Sequence, residues 1–245
     1  MINLKKFNYS YDNHLIFNNL SLDIAVGSSA SLVMSNSGGK TTLFNALKEK
    51  YSKDSLFFPG EIKSFYEDDL IINHLLKVAK AMNVKGAHDF ISTLCESYYI
   101  KEESLYNKIT EISDFEAAKI SLLLIELTKP KLIVLDNTYL FYRTREQDYL
   151  FSKLKQISES IDSTVVYLTH NLKNTLYFND LGVILDGELI LYGTTKSVLK
   201  ETKIIEDMKL ALPFYVNLSI NLKLYKLIER IGYSNKEVGD LLWKE

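Results

Sequence analysis

A single cysteine, Cys95, leaves the chain unable to close an internal disulfide. Together with the absence of a signal-peptide pattern at its start, that fits a reducing cytosol, with Cys95 as a core residue. No apolar run approaches the roughly 18 residues of a membrane span; stretches such as 122–127 are broken by Glu126 or by lysines. Any membrane association therefore has to come through a partner. A basic excess is missing too. The net charge is −2, which excludes a broad positive field for holding nucleic acid, so no nucleic-acid partner is expected. Proline is scarce, at three residues, and neither a repeat nor a low-complexity segment is visible. What remains is 245 residues, 47% hydrophobic and 24% charged, enough for one well-buried α/β domain with or without an appendage.

The most informative stretch runs from Ser31 to Leu43. Apolar Ala30, Leu32, Val33 and Met34 break into the turn Ser35-Asn36-Ser37-Gly38-Gly39, followed by Lys40-Thr41-Thr42 and the helical spacing of Leu43, Phe44, Ala46 and Leu47. Strand, phosphate-sized loop, Lys-Thr and helix form the layout of a P-loop. Backbone N–H groups and the helix N-terminus hold an anion there, Lys40 reaches the outer phosphates, and the Thr41 hydroxyl meets Mg²⁺. The pattern asks for glycine six residues before the lysine, where this chain has Met34. The bland alternative is a Gly-rich turn before an ordinary helix.

Residues 2–10 and 20–26 read as two antiparallel strands, and 30–33 as a buried strand feeding the loop. A helix is expected over 42–51, then a short strand and turn around Pro59-Gly60. The spacing predicts helices over 70–82, 88–99 and 116–128. Strand 132–135 ends at Asp136. Helix 145–159, strand 164–169, helix 172–178 and a hairpin over 181–192 through Asp186-Gly187 follow. This is an α/β fold: a P-loop NTPase core with a mainly parallel sheet, an antiparallel β subdomain and an inserted helical subdomain at about 69–128. The core spans 1–200, and 201–245 forms a C-terminal helical extension.

Two further elements support the P-loop. Lys131-Leu-Ile-Val-Leu-Asp136 has the form of a Walker B strand, whose terminal carboxylate holds the water shell of Mg²⁺. Many buried strands end in Asp, so this element is weak alone. Val165-Val-Tyr-Leu-Thr-His170 is another buried strand with a polar end, where ligands of open α/β sheets bind. A lone histidine there is more often structural.

In this order the elements resemble an ATP-binding-cassette ATPase over nearly the whole chain. Ile112-Ser113-Asp114-Phe115-Glu116 falls on the signature motif, Thr169-His170-Asn171-Leu172 on the switch-histidine motif, and Asp186-Gly187-Glu188 on the closing hairpin. The tail, with Leu210-Ala-Leu-Pro-Phe214 and Leu241-Leu-Trp243, is similar to the ATPase subunits of energy-coupling-factor vitamin transporters. The resemblance implies ATP and Mg²⁺ as cofactors, with Tyr11 against the adenine and Ser35 to Thr42 around the phosphates. Thr41 and Asp136 fall to the metal, Ser113 to a partner's nucleotide and His170 to the γ-phosphate. It also implies a second ATPase subunit, a membrane scaffold subunit, a substrate-binding membrane subunit, and a place on the cytoplasmic face of the membrane. A coupling helix is received around 65–76.

The departures from that family fall on chemistry. Asn137 replaces the glutamate that polarises water; an amide can hydrogen-bond the water but cannot take its proton. The signature keeps Ser113 but has Asp114 and Phe115 for its glycines, opposing phosphate by charge and size. No glutamine precedes Gln147, so the family's Q-loop residue is missing, with Glu67 the nearest candidate, and Arg143 stands for the D-loop aspartate. Met34 and Ser37 replace loop glycines, with strain if either position needs positive φ. The chain therefore reads as the degenerate half of a heterodimer that binds Mg-ATP and hydrolyses it weakly or not at all at its own site. A pseudo-ATPase scaffold that has lost nucleotide binding is the alternative. A soluble ATPase of the same superfamily acting on ribosomes or DNA is disfavoured, because that class usually carries two cassettes or a long coiled-coil insertion and this sequence shows neither.

Overall fold

In the computed structural model, described residues are 2–11, 14–35 and 37–243. In chain order the strands are β1 (Ile2–Tyr11), β2 (His14–Ile24), β3 (Ser29–Met34), β4 (Ser55–Phe58), β5 (Leu132–Asp136), β6 (Thr164–Thr169), β7 (Asp180–Leu185) and β8 (Glu188–Thr194). The first five helices are α1 (Lys40–Lys50), α2 (Ile71–Ala81), α3 (Ala87–Ser97), α4 (Asp114–Thr128) and α5 (Thr144–Ser160). Four more close the chain: α6 (Thr195–Val198), α7 (Thr202–Asp207), α8 (Phe214–Leu224) and α9 (Asn235–Leu242). Two compact units result, one of residues 1–3, 23–29 and 39–168, the other of 4–22, 30–38 and 169–245.

In the first unit β4, β5 and β6 are parallel neighbours, with Leu56 opposite Ile133 and Ile133 opposite Val165. Strands β5 and β6 are apolar without alternation because both faces are covered; Ile133, Val134, Leu135, Val166 and Leu168 are fully buried. Helix α4 is similarly apolar around most of its circumference, and ten of its residues are buried. Ser113 caps it, accepting a hydrogen bond from the Glu116 amide at 3.2 Å. Its far end stops at Lys129, in the left-handed region at φ 47°, just before Pro130. Cys95 is buried, as read, and burial pushes its thiol up to about 11.

In the second unit β3 lies parallel to β7, and β7 antiparallel to β8. The β7–β8 connection is Asp186 at φ 49° and Gly187 at φ 81°, the two positive angles of a tight I′ hairpin. Only glycine fits at 187, because an added Cβ would lie 2.2 Å from the Ile16 carbonyl. The segment after residue 200 is not a loose appendage. Ile205 and Val216 share one buried cluster with Val33, Leu172, Leu181 and Val183.

One helix expectation is corrected. Residues 172–178 form only a 3-10 turn over Thr175–Tyr177. Short polar side chains compete there for the backbone: the Lys173 amide donates to Asn171 Oδ1 at 2.7 Å, and the Thr175 hydroxyl donates to the Leu172 carbonyl at 2.8 Å.

Candidate nucleotide-binding site

Within the first unit, Lys40 and Thr41 open α1 after Gly39, which sits at φ 86° and leaves its carbonyl to accept from the Leu43 amide at 2.8 Å. Asp136 ends β5. The Thr41 hydroxyl lies 3.4 Å from Asp136 Oδ2, so the helix start and the strand end meet as the sequence implied. Lys40 is only 7% exposed. Burial pulls its ammonium below the usual lysine range, against the pull of Asp136; burial likewise raises the Asp136 carboxyl, against Lys40 and the Thr41 hydrogen bond. A cation and an anion each short of solvent, side by side, form a site whose charges gain from a ligand that completes them. Thr42, the next residue of α1, is half-buried.

Asn137 follows at φ 52°, its amide donating to the Leu168 carbonyl at 2.8 Å. Its side-chain Oδ1 is buried and has no hydrogen-bond partner among the described residues. Gly60 closes over this pair: a Cβ there would stand 3.1 Å from the Asp136 carbonyl and 4.0 Å from Asn137 Cβ. Among the described residues no group of three or more His, Cys, Asp or Glu can hold a metal. One hydroxyl and one carboxylate, 3.4 Å apart, nevertheless suit a hard dication that takes its other ligands from phosphate and water.

The loop residues before Gly39 belong to the second unit. There the Gly38 amide donates to the Ser35 carbonyl at 3.0 Å, and a Cβ on Gly38 would stand 2.9 Å from Ser35 Oγ and 3.1 Å from the Ser35 amide nitrogen, so the turn is tightly packed at this glycine. Ser35 and Ser37 are exposed. Asn36 lies outside the described residues, as does the side chain of Tyr11. Met34 is the fully buried last residue of β3, in extended backbone, and carries no left-handed strain. His170 is half-buried directly after β6. Beside it Thr169 Oγ1 accepts from the Asn171 amide at 3.2 Å, fixing the turn.

Ser113 lies elsewhere in the first unit, on a cavity of about 640 Å³ lined also by Lys63, Asp114, Phe115, Phe141 and Arg143. Lys40, Thr41 and Asp136 do not line it. The charge of Asp114 is answered within the chain: Lys63 Nζ lies 2.8 Å from its carboxylate and donates to the Ile112 carbonyl at 2.7 Å. Tyr142 OH donates to the Asp114 carbonyl at 3.0 Å. Phe115 turns onto Tyr149, ring centroids 5.8 Å apart. This clasp was not foreseen from the sequence, since nothing near Lys63 marks it as the partner of a residue so distant in the chain. Glu67 is held by Lys77 at 2.6 Å, and Arg143 sits at the N-cap of α5.

The fold is that of the ATP-binding-cassette ATPases. An ATP-binding subunit of an ABC transporter superposes with TM-score 0.71 at 15% identity, covering 84% of this chain and 97% of that one. The cbiO1 protein of Clostridium perfringens, described as part of the ABC transporter complex cbiONQ, gives 0.69 at 16% identity, covering 84% and 92%. By sequence the chain is similar to ABC transporter ATP-binding proteins, energy-coupling-factor ATPases among them. It is 23% identical over 252 residues to the energy-coupling factor transporter ATP-binding protein of Mycoplasmopsis synoviae, covering 89% of this chain and 92% of the relative. A putative ABC transporter ATP-binding protein of Clostridium acetobutylicum is 26% identical over 252 residues, with 91% and 89% covered. No protein-family model matches the chain.

Proposed function

We propose that this chain is the ATP-binding subunit of an ABC transporter of the energy-coupling-factor kind, with weak or no hydrolysis at its own site. The observation that carries the reading is the meeting of Thr41 with Asp136 at 3.4 Å beside the buried Lys40. In it the outer phosphates of ATP fall to Lys40, and Mg²⁺ falls to Thr41 and Asp136, which supply hard oxygen donors. The bound ion would neutralise phosphate charge. Asn137 holds a water by its amide without taking its proton, which leaves the site without a general base. His170 senses the γ-phosphate, and Ser35 to Gly39, with Tyr11, receive the rest of the nucleotide. The nucleotide-binding domain is assigned to 1–200, with its helical part at 69–128, and the extension to 201–245.

Partners follow from the same reading. A second ATPase subunit completes a heterodimer, and a membrane scaffold subunit and a substrate-binding subunit hold the pair at the cytoplasmic face. Among the described residues no helix is long and apolar enough to cross a membrane, which leaves such attachment to partners. Relatives named as transporter ATP-binding proteins support it.

The test is Mg-ATP affinity of the purified chain, native and Lys40→Ala, by calorimetry. Affinity on the order of micromolar, about −8 kcal/mol, abolished by the substitution, is the expected result. A folded chain that binds no ATP at about millimolar concentration would instead establish a scaffold. The clasp of Lys63 and Tyr142 on Asp114, which closes the signature segment on its own chain, is the observation that favours this second reading.

A further inference from the structure

The first unit has a second recess, of about 270 Å³, at the far end of its sheet from Asp136. Ser55, Leu132 and Thr164, one row across the starts of β4, β5 and β6, border it. Asp136 ends the same strand that Leu132 begins, about 13 Å away at the rise of a parallel strand. The two places lie at opposite ends of the strands and do not share a ligand.

Three lysines, Lys50, Lys53 and Lys131, line this recess, and no acidic side chain does. In a chain of net charge −2 that is a local concentration of positive charge. Lys50 Nζ donates to the Asn3 carbonyl at 3.0 Å, which tethers it and leaves two of its three N–H groups for a ligand. Lys131 is loosely paired with Asp54 at 3.5 Å, its side chain 84% exposed. Lys53 makes no ion pair among the described residues. Three lysines bordering one recess repel one another, and an anion with several oxygens relieves that repulsion while a concave wall focuses the field on it. A doubly charged tetrahedral group offers an oxygen to each donor, which a carboxylate does not.

We propose that this recess binds a small phosphate-bearing anion, at a site separate from the P-loop. The chain carrying Lys40→Ala, which silences the P-loop, would be titrated by calorimetry with inorganic phosphate and, separately, with glycerol phosphate. Saturable binding is expected, weakened about tenfold or more when Lys53→Ala and Lys131→Ala are added, and weakened by salt. Equal affinity for the two probes identifies free phosphate as the ligand; tighter binding of glycerol phosphate identifies an organic ester. No saturation by either probe at about 10 mM, or binding indifferent to the two added substitutions in a variant that melts normally, would overturn the proposal. On the otherwise native chain, Lys53→Ala with Lys131→Ala leaves Mg-ATP affinity unchanged. Failure of this site and failure of the nucleotide reading are thereby read separately.

Discussion

Asn137 shows that replacing a catalytic residue also changes what the backbone beneath it tolerates. At φ 52° the position lies in the left-handed region, where asparagine is at ease and a longer side chain is not. Asn137→Glu is therefore expected to cost about 1 kcal/mol in thermal stability, and no gain in hydrolysis from it would mean that the missing base is not what limits this site. Asn137→Gly should melt within a few tenths of a kcal/mol of the native chain. A Glu variant that melts like native and hydrolyses ATP would show that the missing base alone limits the site. His74 gives a second test. It is 7% exposed, packs on Tyr66 with ring centroids 4.9 Å apart, and its Nδ1 accepts from the Glu67 amide at 3.5 Å. Burial holds it below the ordinary histidine range, with Glu67 and Asp69 pulling up and Lys77 pushing down. The folded chain then binds fewer protons than the unfolded one. The stability His74 contributes is full above about pH 6.5 and is lost as pH falls through its folded value. Urea midpoints measured between those limits should fall with pH for the native chain, and the His74→Gln variant should show a flatter curve.

Among the elements, the β7–β8 hairpin carries the sharpest stability test. Gly187→Ala puts a methyl group 2.2 Å from the Ile16 carbonyl at φ 81°, so a loss of more than about 1 kcal/mol in unfolding free energy is expected. Equal stability would mean that β2 gives way without cost. This turn was legible in the sequence because Asp-Gly between two apolar runs is local chemistry. Strands β3, β5 and β6 were legible for a similar reason: a short apolar run ending in a turn or an acid needs no distant information. Residues 172–178 were not, since their apolar spacing suits a helix while Asn171 and Thr175 divert the backbone groups a helix would use. The meeting of Lys40, Thr41 and Asp136 was anticipated through motif order. The Lys63–Asp114 pair, between residues that no motif links, was beyond reach.

At the scale of the whole molecule, the tail is part of the second unit's interior. Ile205→Ala should cost about 2–5 kcal/mol, a large share of the 5–15 kcal/mol that holds a typical domain. A chain ending at Lys200 removes Ile205 and Val216 from their cluster with Val33 and Val183, and near-ultraviolet circular dichroism should show loss of fixed side-chain packing. A truncated chain with a native spectrum would make the extension an accessory. The clasp on Asp114 bears on history as well as on chemistry. Asp114→Gly, a first step toward the signature, would remove a carboxylate that is itself 75% exposed and leave Lys63 to the Ile112 carbonyl and solvent, at a cost of at most about 1 kcal/mol. Phe115 would have to change as well, so no single substitution leads back to the two glycines of the signature.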